Sequence, residues 1–478
     1  MAEPQETAAR DLLPFHQKLA YGAGAFINNT LAAAIGGMMI VLNLGLGMNP
    51  ALVGLLGALP RLFDAIIDPV VGYMSDHTRS RWGRRRPFIF WGAITSGITY
   101  ALLWQLPVSR SETFVFWYFL IGSLLFYVAY AFFATPWVAL GYELTPDYHE
   151  RTRLMGVQNF LGQLAYMVSP WFLWIMSNKE WFDDQISGAA ALAVLIGAIA
   201  AIVGVLPALL LHERFQQAPA EPESTMTLRA SVLDFFHGFK TTISSKPFLK
   251  LCAATFLVFN GFILISSFQF YVIIYYVFGG DQERGAEYAG YAGTLGAVST
   301  FLVIFVVTWL GTQFGKRKAF VVSTLISMVG YGLKLFAYDP EMPLLILLPA
   351  PLMAFGLGGL FTLMPSMIAD VVDLDELSTH QRREGMYGSI FWWVVKLGMA
   401  VALAGGGVLL NVTGFDVELA GQQSASAILL MRLCDSLIPI ATSLLAIWAV
   451  MTYGVTEASA LEVRKTLEAR RGTGAASA

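Results

Sequence analysis

The sequence predicts an all-α polytopic membrane protein, and three observations lead to that fold class. The chain of 478 residues is 56% hydrophobic and only 13% charged, whereas soluble globular chains are about 25% charged. Twelve stretches are apolar enough to cross a bilayer, for which about 20 residues are needed. Their apolar residues run continuously instead of alternating with a period of two, which favours helices over a barrel. The same composition excludes disordered chains, disulfide scaffolds and nucleic-acid-binding proteins with a basic patch.

The twelve predicted spans are separated by polar segments. They cover residues 19–45, 51–75, 88–107, 114–141, 155–177, 188–211, 248–278, 288–311, 319–338, 343–369, 386–411 and 427–453. The longest connection, residues 212–247, contains the polar, proline-containing segment QQAPAEPESTMT and is predicted to be a cytoplasmic linker. It divides the chain into an N-terminal six-helix bundle, residues 1–211, and a C-terminal six-helix bundle with a cytoplasmic tail, residues 248–478.

A short motif recurs in both halves. Gly72-Tyr-Met-Ser-Asp76, followed by Trp82-Gly83-Arg84-Arg85-Arg86, ends the second span. Gly311-Thr-Gln-Phe-Gly315-Lys316-Arg317-Lys318 ends the eighth span, about half a chain length later. Two six-helix bundles related by an axis along the membrane normal, with a site at mid-membrane, form the architecture of major facilitator transporters. The sequence therefore predicts the major facilitator fold with 12 transmembrane helices.

The distribution of the basic residues predicts the orientation. Assigning the N-terminus and every second loop to one side of the membrane places 23 of the 30 Lys and Arg residues there and 3 on the other side. By the positive-inside rule both termini are cytoplasmic, and the N-terminal segment lacks the pattern of a signal peptide. The expected location is a bacterial-type inner membrane. The remaining basic residues, Arg61, Lys334, Lys396 and Arg432, lie within predicted spans.

The second span carries two carboxylates at mid-membrane depth. Asp64 and Asp68 lie one turn apart on one stripe with Arg61, and Asp64 lies roughly 18 Å along the helix from Asp76. Each buried Asp costs about 2.5–3.5 kcal/mol on insertion scales, so another interaction must offset the pair. Neighbouring carboxylates in a low dielectric bind a proton or a small cation readily, and we predict a cation site at Asp64 and Asp68. The alternative is an Arg61–Asp64 ion pair that only holds helices together.

Three other ionisable groups in the spans have different predicted roles. Lys396 lies near the midplane of the eleventh span and is predicted, with Arg61, to be a counter-ion of the carboxylates or a donor to the substrate. Lys334 lies near the outer end of the ninth span, and we expect its ammonium group to extend to the membrane surface. Arg432 and Asp435 are three residues apart in the twelfth span and are expected to neutralise each other.

Polar and aromatic side chains in the spans predict a substrate pocket. Amide groups donate to and accept from hydroxyl groups, and aromatic faces suit the C–H face of a sugar ring. For each residue, hydrogen bonding between helices is the alternative. The substrate-binding candidates are Asn29, Tyr130, Trp137, Asn159, Gln163, Tyr166 and Trp392, and Asn28, Tyr127, Gln158 and Trp393 lie beside them in the same spans.

Mixed charges at the cytoplasmic ends of the spans predict a salt-bridge gate that stabilises one access state. Ordinary solvated loops are the alternative. The gate candidates are Asp76, Arg84, Arg85, Glu143, Arg151, Asp370, Asp373 and Arg383. The sequence has no Walker loop and no His/Cys cluster with metal-ligand spacing, so we expect neither an enzyme nor a cofactor, and no nucleic-acid partner.

The segment Arg61-Leu-Phe-Asp64-Ala-Ile-Ile-Asp68-Pro-Val-Val-Gly72, running into Ser75-Asp76-His-Thr-Arg79-Ser-Arg81-Trp82-Gly83-Arg84-Arg85-Arg86-Pro87, resembles the glycoside–pentoside–hexuronide:cation symporter family. Its arginine-rich part also looks like sucrose transporters. The resemblance extends over most of the chain, including Tyr21-Gly-Ala-Gly24 and the region from Ala369 through Arg383-Glu384-Gly385 to Lys396. It implies that Asp64 and Asp68 are cation-site carboxylates and that Lys396 is the family's lysine of the eleventh helix.

Departures from the family pattern bear on the substrate and the ion. Asn29 and Ala134 stand where a well-known member has sugar-binding aspartates, Asn159 replaces a sugar-contacting arginine, and Trp137 is offset by one position. Ile67 and Ala131 stand where that member has side-chain oxygen ligands for the ion. Since Na+ needs several oxygen ligands and a proton needs only a carboxylate, H+ is favoured over Na+ as the coupling ion.

The expectation from the sequence is a secondary active transporter that imports a sugar or glycoside together with a cation by alternating access. We expect it to act as a monomer in the lipid bilayer. A carrier of a lysolipid or another amphiphile is the alternative within the same fold, suggested by Phe391-Trp392-Trp393. A membrane receptor or scaffold that moves no solute is the alternative from another class.

Overall fold

The computed structural model describes residues 12–145, 148–213, 242–379, 383–419 and 421–475, which are helices joined by short loops. The N-terminal half contains α1 (Phe15–Met38), α2 (Ile40–Leu44), α3 (Pro50–His77), α4 (Arg86–Leu103), α5 (Glu112–Glu143), α6 (Tyr148–Val168), α7 (Phe172–Ser177), α8 (Gln185–Gly204) and α9 (Leu206–Leu210). The C-terminal half contains α10 (Lys246–Tyr271), α11 (Gln282–Phe314), α12 (Lys316–Ala337), α13 (Pro349–Thr379), α14 (Glu384–Val412), α15 (Ala425–Met451) and α16 (Glu457–Ala475).

Ten helical segments of the described residues are long and apolar enough to cross a membrane. They coincide with ten of the predicted spans, and the other two spans are helical as well, in α4 and in α6 with α7. The all-α membrane fold is therefore confirmed. The count of twelve spanning helices is compatible with these segments and stays a prediction.

Side-chain caps fix where several helices begin. The Asn49 side chain accepts a hydrogen bond from the backbone N–H of Ala51 before α3, and Ser111 and Ser424 accept similar bonds before α5 and α15. Asp184 and Ser187 form a reciprocal capping box at the start of α8. These caps satisfy backbone N–H groups that a helix leaves without partners in its first turn.

Two helices lose regular geometry near their ends. Between α6 and α7, residues Ser169–Trp171 form a 3-10 turn that contains Pro170. At the end of α10, residues Val272–Val277 form a π-helix, and Gly279 and Gly280 follow with φ of 58° and 95°. Positive φ is a conformation that glycine adopts without a steric penalty, so the chain turns there at low cost.

The chain forms two compact units. The first consists of residues 1–219, 278–294 and 403–423, and the second of residues 220–277, 295–402 and 424–478. The core of the first unit includes fully buried aromatic residues such as Trp104 and Phe119, whose rings meet edge to face at 5.1 Å. The core of the second unit includes Phe248 and Tyr387, whose ring centroids lie 4.7 Å apart. The predicted bundle boundaries stay a prediction, and residues 214–241 of the linker lie outside the described residues.

Candidate functional site

Asp64 and Asp68 lie on α3 within a membrane-spanning segment. Asp64 is 2% exposed, and Asp68 is partly buried. The hydroxyl group of Thr135, on α5, donates a hydrogen bond to Oδ1 of Asp68 at 2.9 Å. Gly72, one turn after Asp68, also faces Thr135: a Cβ atom there would lie 3.5 Å from the Thr135 methyl group, an ordinary van der Waals contact. The helix pair α3 and α5 therefore places a carboxylate and a hydroxyl oxygen together.

Arg61 lies one turn before Asp64 and contacts two neighbouring helices. Its Nη2 donates to the carbonyl oxygen of Ala32 on α1 at 3.2 Å. Its guanidinium group lies over the ring of Tyr127 on α5, 5.1 Å from the centroid. A carbonyl group and a ring face both stabilise the charge of Arg61 inside the first unit. Its predicted roles as a counter-ion or as a partner of Asp64 both remain predictions.

The substrate-binding candidates on α1 and α5 are largely engaged with one another. Tyr130 donates from its hydroxyl group to Oδ1 of Asn28 at 2.8 Å. Asn28 donates to Oδ1 of Asn29 at 3.2 Å, and Asn29 donates to the carbonyl oxygen of Gly162 on α6 at 3.1 Å. A Cβ atom at Gly162 would lie 2.8 Å from the Asn29 amide nitrogen, so an added methyl group there would displace the Asn29 side chain. The network joins α1, α5 and α6. Its polar groups form hydrogen bonds within the protein that they would otherwise form with a substrate.

Trp137 is part of the core between α1 and α5. It is 2% exposed, donates from Nε1 to the carbonyl oxygen of Tyr21 at 3.1 Å and stacks on the Tyr21 ring at 5.1 Å. A Cβ atom at Gly24 would lie 2.3 Å from Nε1 of Trp137, so the indole occupies the space above that glycine. Substrate binding by Trp137 stays a prediction, and its present contacts are with protein.

Three candidates share an accessible face of α6. Asn159 and Tyr166 are exposed and Gln163 is partly buried. Their positions i, i+4 and i+7 lie on one side of a helix. This face offers two amide groups and a phenol, which can donate hydrogen bonds to and accept them from the hydroxyl groups of a ligand.

In the second unit, Lys396 and Trp392 lie one turn apart on α14. Lys396 is partly buried, and Trp392 is 54% exposed. The Trp392 ring stacks nearly parallel on Phe361 of α13, with centroids 6.2 Å apart and an angle of 11° between the planes. Phe361 was missed by sequence reasoning, because one phenylalanine among 34 in an apolar helix carries no signal of its own.

The gate candidates of the first unit form a compact ion-pair cluster. Arg84 pairs with Glu143 at 2.5 Å, and Arg85 pairs with Asp76 at 2.7 Å and with Glu143 at 2.9 Å. Partial burial works to lower the pKa of Arg84, but the Glu143 carboxylate outweighs it and raises that pKa above its usual value. The side chain of Arg151, another candidate, lies outside the described residues.

Glu213 supports the same cluster from the segment after α9. Its carboxylate accepts backbone hydrogen bonds from Arg84 and Arg85 at 2.9 Å each and from Arg86 at 3.0 Å. Gly83, with φ of 100°, leaves the room, since a Cβ atom there would lie 2.6 Å from the carboxylate. A negative charge at the first turn of α4 also interacts favourably with the helix dipole. Sequence reasoning missed Glu213, which lies about 130 residues from its partners.

Glu150, at the start of α6, is another carboxylate, after Glu213, whose structural contacts were not predicted from the sequence. Its side chain is fully buried, pairs with Lys18 at 2.6 Å and Arg153 at 3.3 Å, and accepts the backbone N–H of Leu13 at 3.0 Å. Burial works to raise the pKa of Glu150, but hydrogen bonds from Lys18, Leu13 and Arg153 outweigh it and hold that pKa below its usual value. The contact ties the start of α1 to α6.

Two gate candidates of the second unit, Asp370 and Arg383, each pair with a residue outside the candidate set. Lys316, at the start of α12, contacts both carboxylate oxygens of Asp370 on α13 at 2.7 Å. Arg383 binds Asp375 through two nitrogens, at 2.8 and 3.0 Å. Asp373 lies between these pairs on α13 and is partly buried. The predicted candidates therefore come together in the first unit but not in the second, and their role as a gate stays a prediction.

Two expectations about ionisable groups in the spans are wrong. Lys334 does not extend to the membrane surface: its side chain is 1% exposed and its Nζ lies 2.7 Å from Oδ1 of Asp435. Asp435 therefore pairs with Lys334 on α12, and Arg432 donates instead to the carbonyl oxygen of Leu335 at 2.6 Å. The sequence spacing favoured the i, i+3 pair within α15, but the packing of α12 on α15 provides a closer cation.

The first unit also contains close contacts at the predicted outer ends of its segments. Trp171, in the 3-10 turn, donates to the Thr294 hydroxyl group at 2.8 Å, and Asn411 donates to Asn49 at 2.7 Å. Glycines allow this approach: a Cβ atom at Gly293 would lie 2.5 Å from Pro170, and one at Gly407 would lie 2.1 Å from the carbonyl oxygen of Pro50. These segments meet with no room for an added methyl group.

A comparison with known families identifies the chain. Residues 20–457 match the model of a family described as MFS/sugar transport protein. The chain belongs to this family. The major facilitator fold is thereby shown, and the resemblance to glycoside–pentoside–hexuronide:cation symporters is confirmed. The protein is an integral membrane transporter.

Two relatives and one solved structure are similar to this chain over most of its length. The isoprimeverose transporter of Lactiplantibacillus pentosus is 23% identical over 460 residues, covering 95% of this chain and 91% of the relative. The sodium-dependent lysophosphatidylcholine symporter 1 of Gallus gallus is 23% identical over 503 residues, covering 98% and 91%. A bacterial homologue of the human lysosomal transporter Spinster matches with a TM-score of 0.63 at 16% identity, covering 95% and 97%, and supports the fold alone.

Proposed function

We propose that this transporter is a proton-coupled symporter of a sugar or glycoside in a bacterial inner membrane, with Asp64 and Asp68 as the ion site. The observation that carries the proposal is the position of these two carboxylates within a spanning helix, with the Thr135 hydroxyl group on Asp68. Ionised groups in a spanning helix are costly, and they mark ion pathways in transport proteins. The family description and the isoprimeverose transporter support a sugar or glycoside as the substrate.

The proposed coupling follows from differential affinity. A proton on the Asp64–Asp68 pair removes a negative charge from the apolar part of the first unit, and this lowers the cost of conformations in which the pair is closed off from water. Bound substrate favours the same conformations through the polar face of α6. Ion and substrate then move together, because each shifts the equilibrium towards the state that the other binds.

The test is accumulation of sugars by the full-length protein in proteoliposomes. A pH gradient or a Na+ gradient is imposed separately on vesicles with the native protein, Asp64→Asn or Asp68→Asn. We expect accumulation with the pH gradient, its loss in both variants, and native behaviour of Asp183→Asn, which changes an exposed loop carboxylate. Retained accumulation in either site variant would falsify the ion site, and accumulation driven only by Na+ would replace the proton by Na+.

An amphiphile such as a lysolipid is the second candidate substrate. The exposed parallel pair of Phe361 and Trp392 favours it, because such a surface suits an apolar chain at least as well as a sugar ring. The name of the Gallus gallus relative gives a lysolipid as the substrate of that protein. Uptake assays in which lysophosphatidylcholine and disaccharides compete with each other separate the two candidates. If the lysolipid inhibits uptake and the disaccharides do not, the sugar is excluded as the substrate.

A further inference from the structure

Arg432, on α15, is a cation in the second unit with an unusual pair of partners. Its Nη2 donates to the carbonyl oxygen of Leu335 in the last turn of α12 at 2.6 Å. Its guanidinium carbon lies 3.9 Å from the centroid of the Tyr276 ring. That distance is well inside the range of a cation–π contact. Among the described residues, Arg432 therefore joins α12 and α15 to the segment that ends α10.

The buried pair of Lys334 and Asp435 explains why Arg432 makes these contacts. Asp435 lies one turn from Arg432 and would be its natural partner on an isolated helix. Both members of the Lys334–Asp435 pair are 1% exposed and lie 2.7 Å apart, so the carboxylate is already neutralised. The three groups carry one excess positive charge, and the ring face and the helix-end carbonyl stabilise it on Arg432.

Tyr276 is the only partly buried residue of an irregular segment whose other five residues are buried. It lies in the π-helix Val272–Val277, and Gly279 and Gly280 follow with positive φ. π-helical segments are rare and occur frequently at functional sites. The boundary between the two compact units also falls directly after Val277. The contact of Tyr276 with Arg432 is therefore one that can bias the conformation of this segment from outside its buried face.

We propose that Arg432 is a positioning residue of the transport cycle, which acts through the ring of Tyr276 to hold the π-helical end of α10 in its present conformation. The proposal rests on the proposed transport function but not on the identity of the solute. Arg432 touches no substrate in this role. Its contact with the ring defines the arrangement of residues 272–280 from which transport proceeds.

The experiment compares Tyr276→Phe with Tyr276→Leu in the full-length protein in proteoliposomes. Phenylalanine keeps the ring face that the guanidinium group needs, and leucine removes it. Amide hydrogen exchange of residues 272–280 and the initial rate of uptake are measured on the same samples, together with the thermal midpoint. We expect native behaviour of Tyr276→Phe, whereas Tyr276→Leu should show exchange about fivefold faster and a maximal rate about fivefold lower, with KM changed less than about twofold.

A second variant keeps the test independent of tyrosine packing. Arg432→Lys retains the charge but lacks the planar group that stacks on a ring while it donates to a carbonyl, so we expect it to resemble Tyr276→Leu. Faster exchange in Tyr276→Leu with an unchanged maximal rate of uptake would show that the contact is merely structural. Unchanged exchange would show that the contact does not stabilise residues 272–280. Either result overturns the proposal. If the native protein transports no sugar or lysolipid, the proposed function fails, while hydrogen exchange still reports on the contact.

Discussion

Thr135 donates a hydrogen bond to Asp68, and the next residue along each helix is a proline, Pro136 in α5 and Pro69 in α3. Proline has no N–H group for the regular helix bond, so both helices are locally less restrained at the point where they meet. A carboxylate, a hydroxyl group and two helices that each contain a proline next to these groups form an arrangement suited to binding an ion and responding to it.

Thr135→Ala should separate the two candidate coupling ions. The hydroxyl oxygen lies 2.9 Å from Oδ1 of Asp68 and could serve as a ligand of Na+, which needs several oxygen ligands, whereas a proton needs only the carboxylate. Loss of this oxygen therefore weakens a Na+ site more than a proton site. We expect uptake driven by the pH gradient to persist in Thr135→Ala, with Thr135→Ser unchanged. A higher concentration of Na+ required for half-maximal uptake would instead identify Na+ as the ion.

Glu213→Gln should destabilise the first turn of α4. The substitution removes the charge that three backbone N–H groups share while it keeps the size of the side chain. We expect a loss of about 1–2 kcal/mol in the free energy of unfolding, seen as a lower thermal midpoint. Glu180→Gln, which changes an exposed glutamate, serves as the control. Equal midpoints of the two variants would contradict the role assigned to Glu213.

Glu150 should make the stability of the protein depend on pH in the acid range. Since hydrogen bonds from Lys18, Leu13 and Arg153 lower its folded-state pKa, the stabilisation is present above the ordinary pKa of about 4.3. It is lost as the pH falls through the lowered value in the folded protein. We expect the thermal midpoints of the native protein and Glu150→Gln to differ at pH 7 and to converge towards pH 3. A constant difference across this range would rule out the contribution.

Gly407→Ala should slow transport more than the same change at Gly36. The added methyl group at Gly407 would collide with the carbonyl oxygen of Pro50, whereas nothing lies within 4 Å of a Cβ atom at Gly36. Overpacking of this kind costs about 1–3 kcal/mol, so the close contact of Asn49 and Asn411 should open and the uptake rate should fall by about tenfold. Indistinguishable uptake rates for the two variants would show that the cycle does not require this contact.

Phe361→Ala should reveal which part of a substrate meets the aromatic pair. Removing one ring of a stacked pair costs about 0.5–1.5 kcal/mol beyond the loss of buried area. We expect the half-saturation constant to rise about threefold to tenfold for a glycoside with an apolar aglycone or for a lysolipid, and less for a monosaccharide. Trp448→Ala, at an exposed tryptophan on α15, is the control. Equal effects on all substrates would show that Phe361 does not contact the apolar part of the substrate.

The fold could be predicted because hydropathy is a local property of the sequence. Continuous apolar stretches define the spans, and the mixed charges around Arg84 and Glu143 indicated an ion-pair cluster that the first unit does contain. The partners of Lys334 and Arg432 could not be predicted in the same way. Lys334 and Asp435 are about a hundred residues apart in sequence, so only the packing of α12 on α15 reveals that Asp435 has a closer cation than Arg432.

The candidate substrate pocket shows the same limit of prediction from sequence, here for hydrogen-bond partners. Residue type marked Asn28, Asn29 and Tyr130 as candidates for a substrate pocket, but it did not reveal that they bond to one another and to Gly162. A sequence shows which groups can form hydrogen bonds, and only tertiary structure shows which of these bonds are already formed.

The network of Asn28, Asn29, Tyr130 and Gly162 bears on how specificity in this carrier could change during evolution. A single substitution at Asn29 leaves the Gly162 carbonyl and the Asn28 amide to find new partners, so it alters the packing of three helices before it alters recognition. The exposed face of α6, with Asn159 and Tyr166, is free of that constraint. New substrate ranges should therefore arise first through residues of α6, while the network stays constant among carriers that differ in what they import.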